Sequence, residues 1–206
     1  MTDWKRVTRP MATIVFCGAM MISLQGCVEM VVGGVVMGSL AATDRRSFGA
    51  QTEDQEIQLR GGHRIGKLIG DTDHVNVTSF NRKVLLTGEV KDEAMKAAVE
   101  REAAAIEGVK SIANELDISG STSFTSRSND VFITGKVRAS FVDSKELFAN
   151  AFKVVTERGV VYLMGRVTER EGKLAAQVAS GVSGVHKVVK IFEYISDEEL
   201  KLMQKS

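Results

Sequence analysis

Residues 77–90 (VTSFNRKVLLTGEV) and 154–167 (VVTERGVVYLMGRV) align without a gap at an offset of 77. Val77 pairs with Val154, Val84 with Val161, Leu86 with Leu163, Gly88 with Gly165 and Val90 with Val167. With one residue deleted, Ile106-Glu107-Gly108-Val109 pairs with Val182-Ser183-Gly184-Val185. A tandem duplication binds the fold more tightly than any composition, because whatever one copy forms the chain must form twice.

Each copy holds two alternating apolar runs around a tight polar turn, Asn81-Arg82 in the first and Glu157-Arg158-Gly159 in the second, which is the pattern of a β-hairpin. A helix follows each hairpin. In the second copy Thr168 and Glu171 form a capping box, Leu174, Ala175, Val178 and Val182 make a core-facing stripe, and Gly184 stops the helix. In the first copy Asp92 is the cap, the alanines 94, 97, 98, 104 and 105 give a small-residue helix surface, and Gly108 is the stop. A third strand closes each copy, at residues 110–118 and 186–195. A leading helix precedes each hairpin, at about residues 53–69 and 129–142, the latter with Ile133, Val137 and Phe141 at i, i+4 and i+8.

The expected fold is therefore α+β: two tandem αββαβ domains, residues 53–119 and 129–196, each a three-stranded sheet with two helices on one face. Residues 120–128 (GSTSFTSRS) read as a flexible linker, and residues 197–206 as a charged helical or disordered tail.

The N-terminus carries a separate instruction. Lys5, Arg6 and Arg9 precede an apolar run at residues 11–23, too short for a span that needs about 20 apolar residues, so the segment reads as a cleaved export signal. It closes on Leu24-Gln25-Gly26-Cys27, which resembles the bacterial lipobox. That resemblance implies removal of residues 1–26, acylation of Cys27 and a lipidated tether at residues 27–52. Val28 after the cysteine, rather than Asp, resembles the outer-membrane sorting default of Gram-negative bacteria. Residues 28–42 are apolar, Gly-rich and short for a span; they read as a bilayer-proximal tether, with a packed strand or helix as the alternative.

Cys17 would leave with the signal and lipidation would consume the sulfur of Cys27, so no disulfide is expected and packing alone must hold the small domains. Net charge is +1 for the whole chain, but it is divided unevenly. Residues 53–119 balance at −4 and residues 128–195 at +3, which makes the second copy the better partner for an anion.

Catalytic chemistry is missing. His63, His74 and His186 lie in different elements or copies, with no metal-ligand spacing, so no metal site and no cofactor are expected. Glu89, Asp92 and Glu93, and Glu169 with Glu171, are explained by helix starts. No Ser stands in a G-x-S-x-G elbow, and no Gly-rich loop follows a phosphate-binding pattern.

Leu86-Thr87-Gly88-Glu89-Val90 with Gly108-Val109, and Leu163-Met164-Gly165-Arg166-Val167 with Gly184-Val185, resemble the BON domain. Two copies behind a lipobox resemble the dual-BON outer-membrane lipoproteins over nearly all of the mature chain. That resemblance implies a periplasm-facing, non-enzymatic lipoprotein whose second BON domain binds anionic phospholipid (phosphatidylglycerol, cardiolipin), concentrates at the division site and supports outer-membrane integrity. It places the membrane contact on the leading helix of the second domain, here Val131, Phe132, Gly135, Lys136, Arg138 and Ala139. Phe132 replaces the more usual Trp and lacks the indole N–H that favours the headgroup level, so weaker or less oriented binding is expected. The other reading is a tethered adaptor whose acidic first domain docks an outer-membrane assembly, division or cell-wall-remodelling protein. No nucleic-acid partner is expected.

Overall fold

The computed structural model describes residues 44–70, 72–119 and 124–203. The export signal, Cys27 and most of the tether lie outside the described residues.

The first unit runs α1 (Phe48–Leu68), β1 (His74–Phe80), β2 (Lys83–Val90), α2 (Glu93–Ala104) and β3 (Ser111–Ile118). The second runs α3 (Phe124–Asp143), a 3-10 turn (Ala149–Ala151), β4 (Phe152–Glu157), β5 (Val160–Val167), α4 (Glu169–Ser180) and β6 (Lys187–Tyr194), and a short α5 (Asp197–Met203) follows. In each unit the middle strand is central, antiparallel to the strand before it and parallel to the one after. The expected αββαβ architecture is present twice.

Both leading helices start earlier than the pattern predicts. Ser47 caps α1, its side chain accepting from Ala50 N–H at 3.1 Å, and α3 begins at Phe124, inside the expected linker. Serine and threonine read as linker residues, yet at a helix start they satisfy orphan amides. The later caps match expectation: Asp92 accepts from Met95 N–H at 2.7 Å, and Thr168 with Glu171 completes a capping box. The inward face of α2 differs. Val99, Ala103 and Ile106 are buried with Met95 packed beside them, whereas Ala94, Ala97, Ala104 and Ala105 are exposed.

The motif glycines have a steric reason. A Cβ at Gly88 would stand 2.0 Å from the His74 carbonyl oxygen, and one at Gly165 would stand 2.5 Å from that of Ala151. Only glycine lets the central strand approach its partner so closely.

Each hairpin turns on two residues in the left-handed region, Asn81 (φ 51°) and Arg82 (φ 65°) in the first, Arg158 (φ 51°) and Gly159 (φ 73°) in the second. Arginine there costs about 1–2 kcal/mol. A buried aspartate from the leading helix holds each turn in place. Asp54 accepts from Asn81 N–H at 2.7 Å, Arg82 N–H at 2.8 Å and the Ser79 hydroxyl at 2.6 Å. Asp130 accepts from Arg158 N–H and Gly159 N–H, both at 2.8 Å.

Helices cover one face of each sheet, giving two cores: one around Ile57, Ile65, Val84, Leu86 and Val99, the other around Ile133, Val137, Phe141, Leu163 and Ala175. The opposite faces meet each other. Phe80 and Leu85 of the first sheet pack with Tyr162 and Met164 of the second, with Ala113, Val155, Val160, Val189 and Ile191 around them. Val84, Leu85 and Leu86 are consequently all fully buried, as strands covered on both faces must be. Polar contacts rim this third core: Asn81 Nδ2 donates to Glu193 at 2.6 Å, Lys83 Nζ to the Phe192 carbonyl at 3.1 Å, and Lys153 Nζ to Gln58 Oε1 at 3.0 Å.

Two consecutive arginines fasten the start of the described chain to both units. Arg45 makes a bidentate pair with Glu171 at 2.6 and 2.8 Å and donates to the Arg166 carbonyl at 2.9 Å. Arg46 pairs with Asp44 at 2.6 Å and Asp54 at 2.8 Å, and its guanidinium lies 4.3 Å from the Phe80 ring centroid.

Burial by itself would raise the Asp54 carboxyl, but the hydrogen bonds from Ser79, Arg82, Arg46 and Asn81 outweigh it and hold the group below the usual aspartate range. Its stabilisation is therefore fully present above the unfolded value of about 3.9 and is lost as pH falls through the lower folded value. In urea unfolding, Asp54→Asn should cost about 1–3 kcal/mol at neutral pH and flatten the loss of stability below about pH 4. Leu85→Ala, in the intersheet core, should cost about 2–5 kcal/mol in the same assay.

Candidate membrane-contact face

One side of α3 is committed to the core. Ile133, Val137 and Phe141 are completely buried at the expected spacing, and Thr134 meets Thr156 through their hydroxyls at 2.8 Å. All six residues singled out from the sequence are exposed: Val131, Phe132, Gly135, Lys136, Arg138 and Ala139.

These residues form two adjacent rows, because side chains three and four apart share a helix face. Val131, Gly135, Arg138 and Val142 make one row; Phe132, Lys136 and Ala139 make the other. Val131 and Phe132 are 72% exposed and Val142 is 71% exposed, unusual for apolar side chains of this size on one short surface. A Cβ at Gly135 would meet nothing within 4 Å. Packing therefore does not explain this glycine, which costs about 1 kcal/mol relative to alanine in a helix interior.

The two cations differ. Lys136 Nζ donates to the Ser183 carbonyl just past α4, so part of its charge serves that chain end. Arg138 makes no ion pair among the described residues. Between α3 and α4 runs an open groove of about 580 Å³, with Lys136 and Ala139 on one wall and Leu174, Val178 and Val182 on the other.

Val142 extends the apolar surface beyond the six expected residues, while Phe148, 49% exposed, lies 5.9 Å from the Arg45 guanidinium. Val142 was legible in principle, at i+11 from Val131 on the same row; Phe148 lies past the helix end, where periodicity carries no information. The first unit offers a separate surface on α1, where Phe48 and Leu59 are 84% and 75% exposed. Of the charges that the sequence ascribes to helix starts, Glu169 and Glu171 lie in the first turn of α4, Glu93 lies in that of α2 and Asp92 caps it, but Glu89 lies within β2 and is completely buried, so a helix start does not account for it. Among the described residues no helix is long and apolar enough to cross a membrane. Cys27 lies outside them.

Because Phe132 and Arg138 make no buried contact, Phe132→Ala and Arg138→Ala should each shift unfolding free energy by no more than about 0.5 kcal/mol, whereas Ile133→Ala on the opposite face should cost about 2–5 kcal/mol. Chemical denaturation of the three variants checks this directly.

Known proteins share this arrangement of sequence. The BON domain family matches at residues 63–120 and 129–195. The outer membrane lipoprotein DolP of Haemophilus influenzae is 38% identical over 177 residues, covering 84% of this chain and 91% of that protein. A protein named 21 kDa hemolysin from Actinobacillus pleuropneumoniae is 32% identical over 154 residues, covering 74% of this chain and 79% of its own. Among solved structures, CdsD, a structural protein of the type III secretion system of Chlamydia trachomatis, is 12% identical with a TM-score of 0.29, too low to support an argument.

Proposed function

The chain belongs to the BON-domain family, among the tandem-BON lipoproteins of the DolP type, and on that premise we propose a binding role at the outer membrane rather than catalysis. In this reading Cys27 carries the lipid anchor, and α3 of the second BON domain docks on anionic phospholipid such as phosphatidylglycerol or cardiolipin. The protein thereby supports outer-membrane integrity, concentrating at the division site.

The observation that carries the proposal is the outward face of α3, where Val131, Phe132 and Val142 stand exposed beside Arg138 while the opposite face is fully packed. A phenylalanine ring on a rigid helix can enter the interface without disturbing the core. Arg138 and Lys136 then lie at headgroup level, each near-surface cation contributing about 1 kcal/mol toward an anionic membrane. The +3 balance of the second domain acts in the same direction. The groove beside α3, walled by Leu174, Val178 and Val182, gives an acyl segment an apolar surface to lie against.

The acidic first domain, with Leu59 exposed on α1, supports a second role as a docking site for an outer-membrane assembly or division protein. The two roles use different surfaces and are separable by mutation.

Residues 43–206 form one compact unit and should sediment with vesicles containing phosphatidylglycerol or cardiolipin but not with neutral vesicles. Binding should weaken at 1 M salt, where the screening length falls to about 3 Å. Phe132→Glu, or Lys136→Glu with Arg138→Glu, should abolish it. Equal binding to neutral vesicles, or none to either, would reject lipid recognition and leave the adaptor role. In cells, Cys27→Ser should move the protein from the membrane fraction to the soluble fraction; retention would remove the lipid anchor from the account.

A further inference from the structure

At one edge of the contact between the two sheets, three side chains from three strands converge. His74 opens β1, Glu89 lies near the end of β2, and Glu157 ends β4. One donor atom from each lies within 4.8 Å of the others. His74 Nδ1 is buried, has no hydrogen-bond partner, and stands 3.6 Å from Glu89 Oε2. Glu89 is completely buried and Glu157 nearly so.

We propose that His74, Glu89 and Glu157 form a site for a divalent transition-metal ion of the zinc type, which would link the first BON domain to the second through two ligands from one and one from the other. Nothing in the membrane reading requires or supplies this site; the two stand independently.

Three physical arguments support it. The first is electrostatic. Burial pushes the Glu157 carboxyl up, and the charges of Glu89 and Asp130 push it further, against the hydrogen bond from Asn76 at 3.0 Å and the charge of Arg127. Ionising a carboxyl as buried as Glu157 is costly, and a divalent ion bound there would offset that cost. The second is donor chemistry. One imidazole nitrogen with two carboxylates suits borderline ions such as Zn²⁺ better than Mg²⁺ or Ca²⁺, which favour oxygen alone. The buried, unpartnered His74 nitrogen is the donor such an ion would take. The third is geometry. Zinc binds nitrogen and oxygen at about 2.0–2.2 Å, so neighbouring ligands in a tetrahedral shell lie about 3.3–3.5 Å apart. The His74–Glu89 separation is already close to that, and the widest separation would close by rotation of a carboxylate. His74 and Glu157 also line a cavity of about 360 Å³, which leaves room for water as a fourth ligand.

Arg127 and Asp130 line the same cavity. Asp130 is occupied by the Arg158 and Gly159 amides, which leaves it unsuited to a ligand role. Arg127 is the competing cation. It lowers the Glu157 pKa through its charge, so a metal ion must bind against that guanidinium, and Arg127→Ala should tighten binding.

The test is isothermal titration of Zn²⁺ into the EDTA-stripped full chain in detergent, with Cys17 and Cys27 replaced by serine so that no thiol contributes. One equivalent should bind, with Mg²⁺ giving no comparable heat. His74→Gln and Glu157→Gln should each weaken binding by at least about tenfold, while His63→Ala and His186→Ala leave it unchanged. Glu157→Gln retains an acceptor for Asn76, and near-UV circular dichroism verifies its fold independently of His74→Gln. Zn²⁺ should also raise the thermal midpoint of the parent chain and not of these two variants. Absence of binding at 1 mM Zn²⁺, or binding that survives both substitutions, would overturn the proposal.

Discussion

A three-stranded sheet has two faces, and two helices can cover only one of them. That shortage of cover governs this molecule. Each unit buries its inner face beneath its own helices and would leave Leu85 or Tyr162 and Met164 open to water if it stood alone. The duplication resolves this, because each unit supplies the cover the other lacks. Once the sheets meet face to face, the helices must lie on the outside, and the outward side of α3 becomes available for a partner. The cores are thus three rather than two, and the third exists only because the chain repeats.

Face-to-face packing also dictates where polar groups are trapped. Residues on the outer face of β2 alternate with those of the inner core, so Glu89 follows Leu85 and Thr87 into the interface. Glu157 arrives there from the second sheet beside Asn76. At the opposite end Arg45 and Arg46 reach to different units, fixing where the chain enters the folded part.

The fold was legible to a large extent, and its errors are local. Hairpins, the Asp92 cap, the Thr168/Glu171 capping box and the Ile133/Val137/Phe141 stripe follow from short-range rules and stand where those rules place them, whereas α2 ends at Ala104 and α4 at Ser180, several residues before the expected stops at Gly108 and Gly184. The helix starts were missed because Ser and Thr serve equally as linker residues and as caps. Asp54 and Asp130 went unread although they sit 76 residues apart, one short of the 77-residue offset of the hairpins: an aspartate at a helix start is read first as a cap. Its grip on a turn 28 residues downstream is a non-local fact. The exposure of Val131, Phe132, Gly135, Lys136, Arg138 and Ala139 was legible by subtraction, since they lie off the buried stripe. That Lys136 reaches the Ser183 carbonyl depends on where α4 ends in space.

The sequence by itself determined the element order, the number of units and the surface each helix offers, because these depend on contacts between residues a few positions apart and on a pattern written twice. It could not determine how the units face each other. The apolar residues of the third core, Phe80, Leu85, Tyr162 and Met164, look in the sequence like ordinary members of hairpin strands. Only the tertiary structure decided that those faces pack together, and with them His74, Glu89 and Glu157. A side chain's partner across a sheet interface is set by the burial of whole faces, and no spacing along the chain records it.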